Sequence, residues 1–527
     1  MKTMIKTMMI SAILIAVGVL NSCKKQLNQQ PLYGLNASVV YADPNNYLNV
    51  LAKLYAGLSV TGLQGPAGKP DIAGIDEGFS AYVRLLFNLQ ELPTDEAICG
   101  WNDPGIPDLN KMTWSAENSF SKAMYYRIFY QVTLCNEFIR ESSDEKMTER
   151  GFSDAQKATI AVYRNEARFL RALSYYHAMD LFGNVPFVTE EDKVGAYQPP
   201  RITRPELFQY LETELLDIEN NLLDPVGAPY GRASKAAAQF LLAKMYLNAE
   251  VYTGSNRASS CAEYCQKIIN ANAYTLDDNY PELFMADNNN SPEIIFPVCY
   301  DGLYTQTYGG TTFMVNASLG GTMMPADYGV NGKWAGLRAK GNLVDKFPDS
   351  TLDSRYQFYR NGQVKDITSM STFTQGYALP KYKNKTSTGS NGSNNATTAF
   401  VDIDFPMFRL ADVYLMYAEA ALRGGGDVNL GLSYINNLRE RAYGNSTSNL
   451  SSISLSDVLD ERARELHWEA TRRTDLIRFD LYTSGSYLWP FKGGVAGGTG
   501  VADYLKLYPL PTADLNLNPN LIQNSGY

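Results

Sequence analysis

The sequence predicts a mainly α-helical fold, with tetratricopeptide-like helical repeats packed against a large irregular, loop-rich region holding a few short strands. Three observations carry that expectation. Apolar residues recur at i, i+3 and i+4 through two blocks, about 117–271 and 405–482. The stretches 62–115 and 272–400 are instead rich in Gly, Pro, Asn, Ser and Thr. Within the helical blocks, small residues precede a second helix, as in Ala236-Ala237-Ala238 before Ala262–Ile269, near the repeat of about 34 residues expected of tetratricopeptide pairs.

The elements follow in order. Lys2 and Lys6 precede the uncharged apolar stretch Met8–Leu20, shorter than the ~20 residues of a membrane-spanning helix and suited to a signal peptide over 1–22. Leu20-Asn21-Ser22-Cys23 has the form of a lipobox, so acylation of Cys23 and a tether over 23–31 are expected; an ordinary signal peptide beside an incidental cysteine is the alternative. The folded part is expected over 32–527. Helices are predicted over Asn118–Glu141, Asp154–Phe182, Pro205–Leu223, Ala233–Tyr252 and Ala258–Asn270, then over Phe405–Arg423, Asn429–Ala442 and Ser456–Tyr482. Ser153 with Gln156 fits a capping box, Ser456 before Asp457 an N-cap, and Gly183 and Gly424 stand at C-terminal stops. Thr386–Thr398 is low-complexity and reads as a mobile surface loop.

Composition excludes several functions. The 527 residues carry 46 Lys+Arg against 55 Asp+Glu, a net charge of −9 that disfavours nucleic acid as a partner. Only two histidines occur, His177 and His467, each inside a predicted helix among aromatic residues, where a structural role is expected. No nucleophile elbow, P-loop or dinucleotide fingerprint is present, and no nucleophile is paired with a base. Carboxylates distant in sequence that would flank a glycosidic bond stay open as an alternative. Past Cys23, Cys99, Cys135, Cys261, Cys265 and Cys299 are an odd number without zinc spacing and read as small buried residues. The charged runs Glu166–Arg171 and Glu461–Glu465 read as helix-supporting pairs worth tenths of a kcal/mol when exposed.

Several motifs in order resemble the SusD/RagB family of outer-membrane lipoproteins. They are Glu166–Ala172 leading into Asp180-Leu181-Phe182-Gly183-Asn184-Val185-Pro186, Phe405–Asp412 with Tyr417-Ala418-Glu419-Ala420, Glu461–Glu465 with Arg472-Arg473-Thr474-Asp475-Leu476, and the ending Tyr508–Tyr527. Asp76-Glu77-Gly78, Glu91–Glu96, Tyr308-Gly309-Gly310 and Gly332-Lys333-Trp334 resemble the starch-binding branch. The resemblance implies a non-catalytic binder of starch or malto-oligosaccharide, partnered by a SusC-like TonB-dependent transporter and held on the outer membrane by lipid, facing outward. Another glycan, a lipoprotein glycoside hydrolase, or a pure scaffold for the transporter are the rival outcomes.

By that resemblance the glycan site is an aromatic arc of Trp101, Tyr308 and Trp334, with Arg84 and Asn102 or Asp103 bonding sugar hydroxyls. Flat rings against the apolar faces of a sugar, with polar groups at its hydroxyl fringe, suit a neutral glycan. Two residues before Trp101 the starch-binding members carry a further tryptophan where this chain has Cys99, so a lost ring and a shifted glucan preference are expected. No cofactor is required for such binding. A structural calcium at Asp287, Asn289, Asp402 and Asp404 is one expectation, alternating oxygen ligands being suited to it; solvated loop acids are the other.

Overall fold

The computed structural model describes residues 37–195 and 197–527, so the signal peptide, Cys23 and the tether lie outside the described residues. The chain runs α1 (Asn46–Ser59), α2 (Tyr82–Glu91), β1 (Ala97–Cys99), α3 (Ser119–Glu141), α4 (Asp154–Phe182), α5 (Arg204–Ile218), α6 (Lys235–Leu247), α7 (Ala258–Asn270), β2 (Ile294–Val298), α8 (Gly310–Ser318), β3 (Leu337–Ala339), β4 (Phe405–Arg409), α9 (Leu410–Ala420), α10 (Val428–Tyr443), α11 (Leu455–Leu466) and α12 (Arg472–Arg478), with shorter turns between. Helix α3 packs on α4, α4 on α5, α6 on α7, α7 on α9 and α9 on α10, so the two helical blocks join into one stack across α7 and α9. One continuous apolar core runs beneath both the stack and the irregular region.

Local chemistry accounts for these boundaries. Ser153 and Gln156 form the expected reciprocal cap on α4, and Gly183 ends it at φ +73°, a conformation open to glycine. Tyr175, Tyr176 and Tyr417 are buried, their rings filling helix interfaces.

The structure differs from the sequence expectation at five places. Phe405–Arg409 is not helix: it pairs antiparallel with β2, Ile294 opposite Arg409 and Val298 opposite Phe405. The predicted helix over Ser456–Tyr482 breaks at His467–Thr471, where Trp468 and Ala470 both take positive φ near +60°. The cap of α11 is Ser454, whose hydroxyl faces the Asp457 amide, not Ser456. The irregular stretches contain ordered helices, α2 and α8 the longest among the described residues. Thr386–Thr398 is tied down: Ser387 donates to Asp287, Ser393 to Asp402, and the buried Asn394 side chain to Phe400 O.

The charged runs hold more than their own helices. Glu465 accepts from Arg355, Arg409 and Arg441, and Glu461 from Arg355, Arg439 and Arg464. Arg168 and Arg171 both reach Glu214 on α5, while Glu166 pairs with Arg232. Most of these side chains are buried, so they are interior clasps between elements that the exposed-pair reading underestimates.

Candidate glycan-binding site

Strand β1 and strand β3 form a three-residue antiparallel ladder, Ala97 opposite Ala339, Ile98 opposite Arg338 and Cys99 opposite Leu337. The chain leaves β1 at Gly100 and presents Trp101 at once; it enters β3 directly after Trp334, Ala335 and Gly336. The Gly100 amide donates to Gly336 O at 2.9 Å, extending the ladder by one bond. The Trp334, Ala335 and Gly336 amides donate to Asn316, Leu319 and Ala317 carbonyls at the end of α8, each at 2.8 Å. Gly336 must be glycine here, because a Cβ would stand 2.5 Å from the Trp101 indole.

Three of the expected rings come together on this mount. The Trp101 and Trp334 centroids are 6.4 Å apart with planes inclined at 48°, and the Trp101 Nε1–H donates to Trp334 O at 3.0 Å. Trp334 and Tyr308 are 6.3 Å apart at 54°, so Trp334 is the middle ring. Two further rings support the set, with no signal in the sequence beyond their apolar character. Phe313 on α8 meets Trp101 edge-on at 5.8 Å, and Phe400 lies 5.3 Å from Tyr308.

Arg84 lies on α2, not in a loop, and is mostly buried. Its Nη1 donates to Gly78 O at 2.9 Å and Tyr308 O at 3.2 Å, so the guanidinium fixes the backbone that carries Tyr308. The same group lies 4.4 Å from the Phe313 ring centroid and 5.6 Å from that of Trp101. Burial pulls its pKa down to about 10, countered by Cys99 and then by Asp103 and Asp76. Asn102 and Asp103 are exposed on the turn after Trp101, and their side chains make no hydrogen bond to any described residue. Lys333 donates to Gly321 O and Met323 O, bracing the segment before Trp334.

Cys99 departs from the expectation of a lost ring. It is fully buried in β1, its backbone bracketed by the Asn110 amide, and burial raises its thiol pKa to about 11. Position 99 offers no surface to a ligand in this fold.

The four oxygen-bearing residues do not fit a calcium cage. Asp287 accepts from the Ser387 amide and hydroxyl, Asp402 from Gly302 N and Ser393, and Asp404 from Tyr300 N and the Tyr230 hydroxyl. Their lone pairs close three separate loop contacts, and Asn289 points to solvent. Among the described residues no group of three or more His, Cys, Asp or Glu is arranged to hold a metal. Burial raises the Asp404 pKa to about 6.

Both histidines are interior. His177 Nδ1 bonds the Tyr82 hydroxyl at 2.8 Å and His467 Nδ1 bonds Arg464 O at 2.9 Å. Two cavities, of about 350 and 510 Å³, lie along Tyr126–Tyr197 and around Tyr414–Arg441, lined by none of the three rings. Trp101 and Trp334 are half-buried against the core and Tyr308 is 36% exposed.

Residues 305–527 match the family model described as the SusD family. Over 100% of both chains, the protein is 36% identical to the starch-binding protein SusD of Bacteroides thetaiotaomicron. The chain belongs to the SusD family. A SusD-like protein of Bacteroides ovatus is 25% identical over 72% of this chain and 69% of its own. Surface glycan-binding protein A from Bacteroides thetaiotaomicron, solved in complex with laminarihexaose, shares the SusD fold at a TM-score of 0.69 and 18% identity, covering 91% of this chain and 99% of that one. A SusD superfamily protein from Bacteroides vulgatus superposes at a TM-score of 0.70 with 18% identity, over 92% and 99%. At those identities the likeness shows the SusD fold alone. In SusD-family terms the matched segment holds Tyr308 and Trp334, while the full-length relationship also takes in Arg84 and Trp101.

Proposed function

We propose that this SusD-family protein binds a starch-type α-glucan without altering it and delivers it to a SusC-like TonB-dependent transporter. One observation carries the glucan part: Trp101, Trp334 and Tyr308 stand about one sugar ring apart, each turned roughly 50° from the next. A flat ribbon chain cannot lie on adjacent planes so inclined, whereas a glucan that turns from residue to residue presents successive apolar faces at matching tilts. Arg84 and the exposed Asn102 and Asp103 supply the polar fringe, with Arg84 also holding Tyr308 in place. The full-length likeness to a protein named for starch binding supports the α-linkage. Binding a neutral sugar in this way calls for no cofactor.

The remaining parts rest on the sequence. After removal of the signal 1–22, acylated Cys23 would hold the protein on the outer membrane, facing outward, and the helical stack would lie against the transporter. A second reading, a different turning glucan, draws on the laminarihexaose complex of a protein with the same fold.

Calorimetry with maltoheptaose, α-cyclodextrin and laminarihexaose tests the proposal. Heat of binding is expected for the first two, with laminarihexaose at least about tenfold weaker, a difference near 1.4 kcal/mol. The Trp101→Ala/Trp334→Ala double variant is expected to lose binding. No binding by the wild type, or unchanged binding by the double variant, sinks the glucan claim; preference for laminarihexaose selects the second reading.

A further inference from the structure

We infer that Tyr304 is an additional sugar-contacting ring that extends the platform beyond Tyr308 and sets a preference for longer chains. The inference rests on the glucan reading above. Among the described residues Tyr304 is the most exposed of the large hydrophobic side chains, at 87%, with Leu303 beside it at 50%. Exposure of one tyrosine is ordinary; its mounting is not.

Residues 301–305 close a tight hairpin, the Thr305 amide donating to Asp301 O at 3.1 Å. Asp301 Oδ1 accepts from the Leu303 and Tyr304 amides at 2.7 and 2.8 Å, which stiffens the tip carrying the ring. The foot of the hairpin is pinned as well: Gly302 N donates to Asp402 Oδ1, and Gln306 donates back to Gly302 O. A Cβ at Gly302 would lie 3.1 Å from Phe400 O, so the hairpin rises directly beside the residue whose ring backs Tyr308. Four residues of chain reach at most ~14 Å, which keeps Tyr304 within a few sugar rings of Tyr308. A ring presented on a stiff turn binds with little ordering cost, as a platform for a polymer requires.

A sugar chain long enough to pass Tyr308 would meet Tyr304; one held by Trp101 and Trp334 alone would not. The test is calorimetry of wild type, Tyr304→Ala and Tyr304→Phe with maltotriose and maltoheptaose. Tyr304→Ala is expected to weaken maltoheptaose about fivefold and maltotriose less than twofold, and Tyr304→Phe to restore most of the loss, since stacking needs the ring and not the hydroxyl. Equal loss on both sugars, or no loss on maltoheptaose, overturns the inference while leaving the glucan reading standing. Failure of the wild type to bind either sugar overturns both.

Discussion

Cys99 shows how a position in the chain differs from a position in space. Its neighbour two residues on is the first ring of the platform, yet its own side chain is sealed inside the β1–β3 ladder beside Arg84 and Arg338. Cys99→Trp is therefore expected to overpack the core, costing about 1–3 kcal/mol by thermal or denaturant unfolding, without strengthening maltoheptaose binding. Tighter binding by that variant would show that the strand can turn position 99 outward. Of the candidate site residues, Trp101, Tyr308 and Trp334 were named from family likeness, and the structure brings their rings near one another. What the sequence could not show was the double duty of Arg84, whose guanidinium reaches a backbone carbonyl 224 positions away. Such a contact leaves no local pattern.

At the level of elements, legibility followed amphipathicity. Helix α7 has one wet face and was placed at its observed ends, while those of α4, whose second half from Phe169 to Phe182 is buried all round, were marked by the Ser153 cap and the Gly183 stop. Helix α2 is buried on every side from Tyr82 to Glu91, so it has no polar stripe to reveal its period. β4 runs straight into α9, Arg409 being followed at once by Leu410 with no turn residue between them, and the turn after α11 uses Trp468 and Ala470 where glycine would have marked it. The charge clasps were visible as residues but not as partners. Glu465 sits among three arginines, which hold its carboxyl well below the usual carboxylate range. Glu465→Gln should leave Arg409 and Arg441 under-compensated in the interior and cost about 3–5 kcal/mol. Asp480→Asn, which breaks the exposed pair with Lys506, should cost less than about 1 kcal/mol. Similar unfolding midpoints for the two variants would refute the clasp.

Across the whole molecule, stability and pH are linked through the interior. His177 is buried between Tyr82 and Tyr176, with Asp180 raising and Lys244 lowering its proton affinity, and burial takes its pKa down to about 3. An unfolded histidine titrates near 6.5, so the fold rejects a proton that the unfolded chain accepts. The sign follows: this contribution is complete above pH 6.5 and is lost as the pH falls toward 3, reaching about 2 kcal/mol at pH 5. Glu96, raised to about 8, and Asp404, raised to about 6, shift stability the other way over part of that range. The comparison that isolates His177 is therefore wild type against His177→Gln, melted at pH 7.5 and 5. The wild type should lose more on acidification, and parallel shifts would count against it.

The short ladder between β1 and β3 has a consequence for how the protein would respond to its ligand. Trp101 and Trp334 are 233 positions apart in sequence, yet one sugar chain lying on both would bridge the two strands like a removable cross-link. Opening the ladder would then require the ligand to leave first, so its free energy of binding adds to that of the local opening. Saturating maltoheptaose should slow deuterium uptake at the Gly100 and Gly336 amides and raise the melting temperature in proportion to the logarithm of its concentration. The receptor would be at its most rigid when loaded, and would loosen at that one seam as it gives the sugar up.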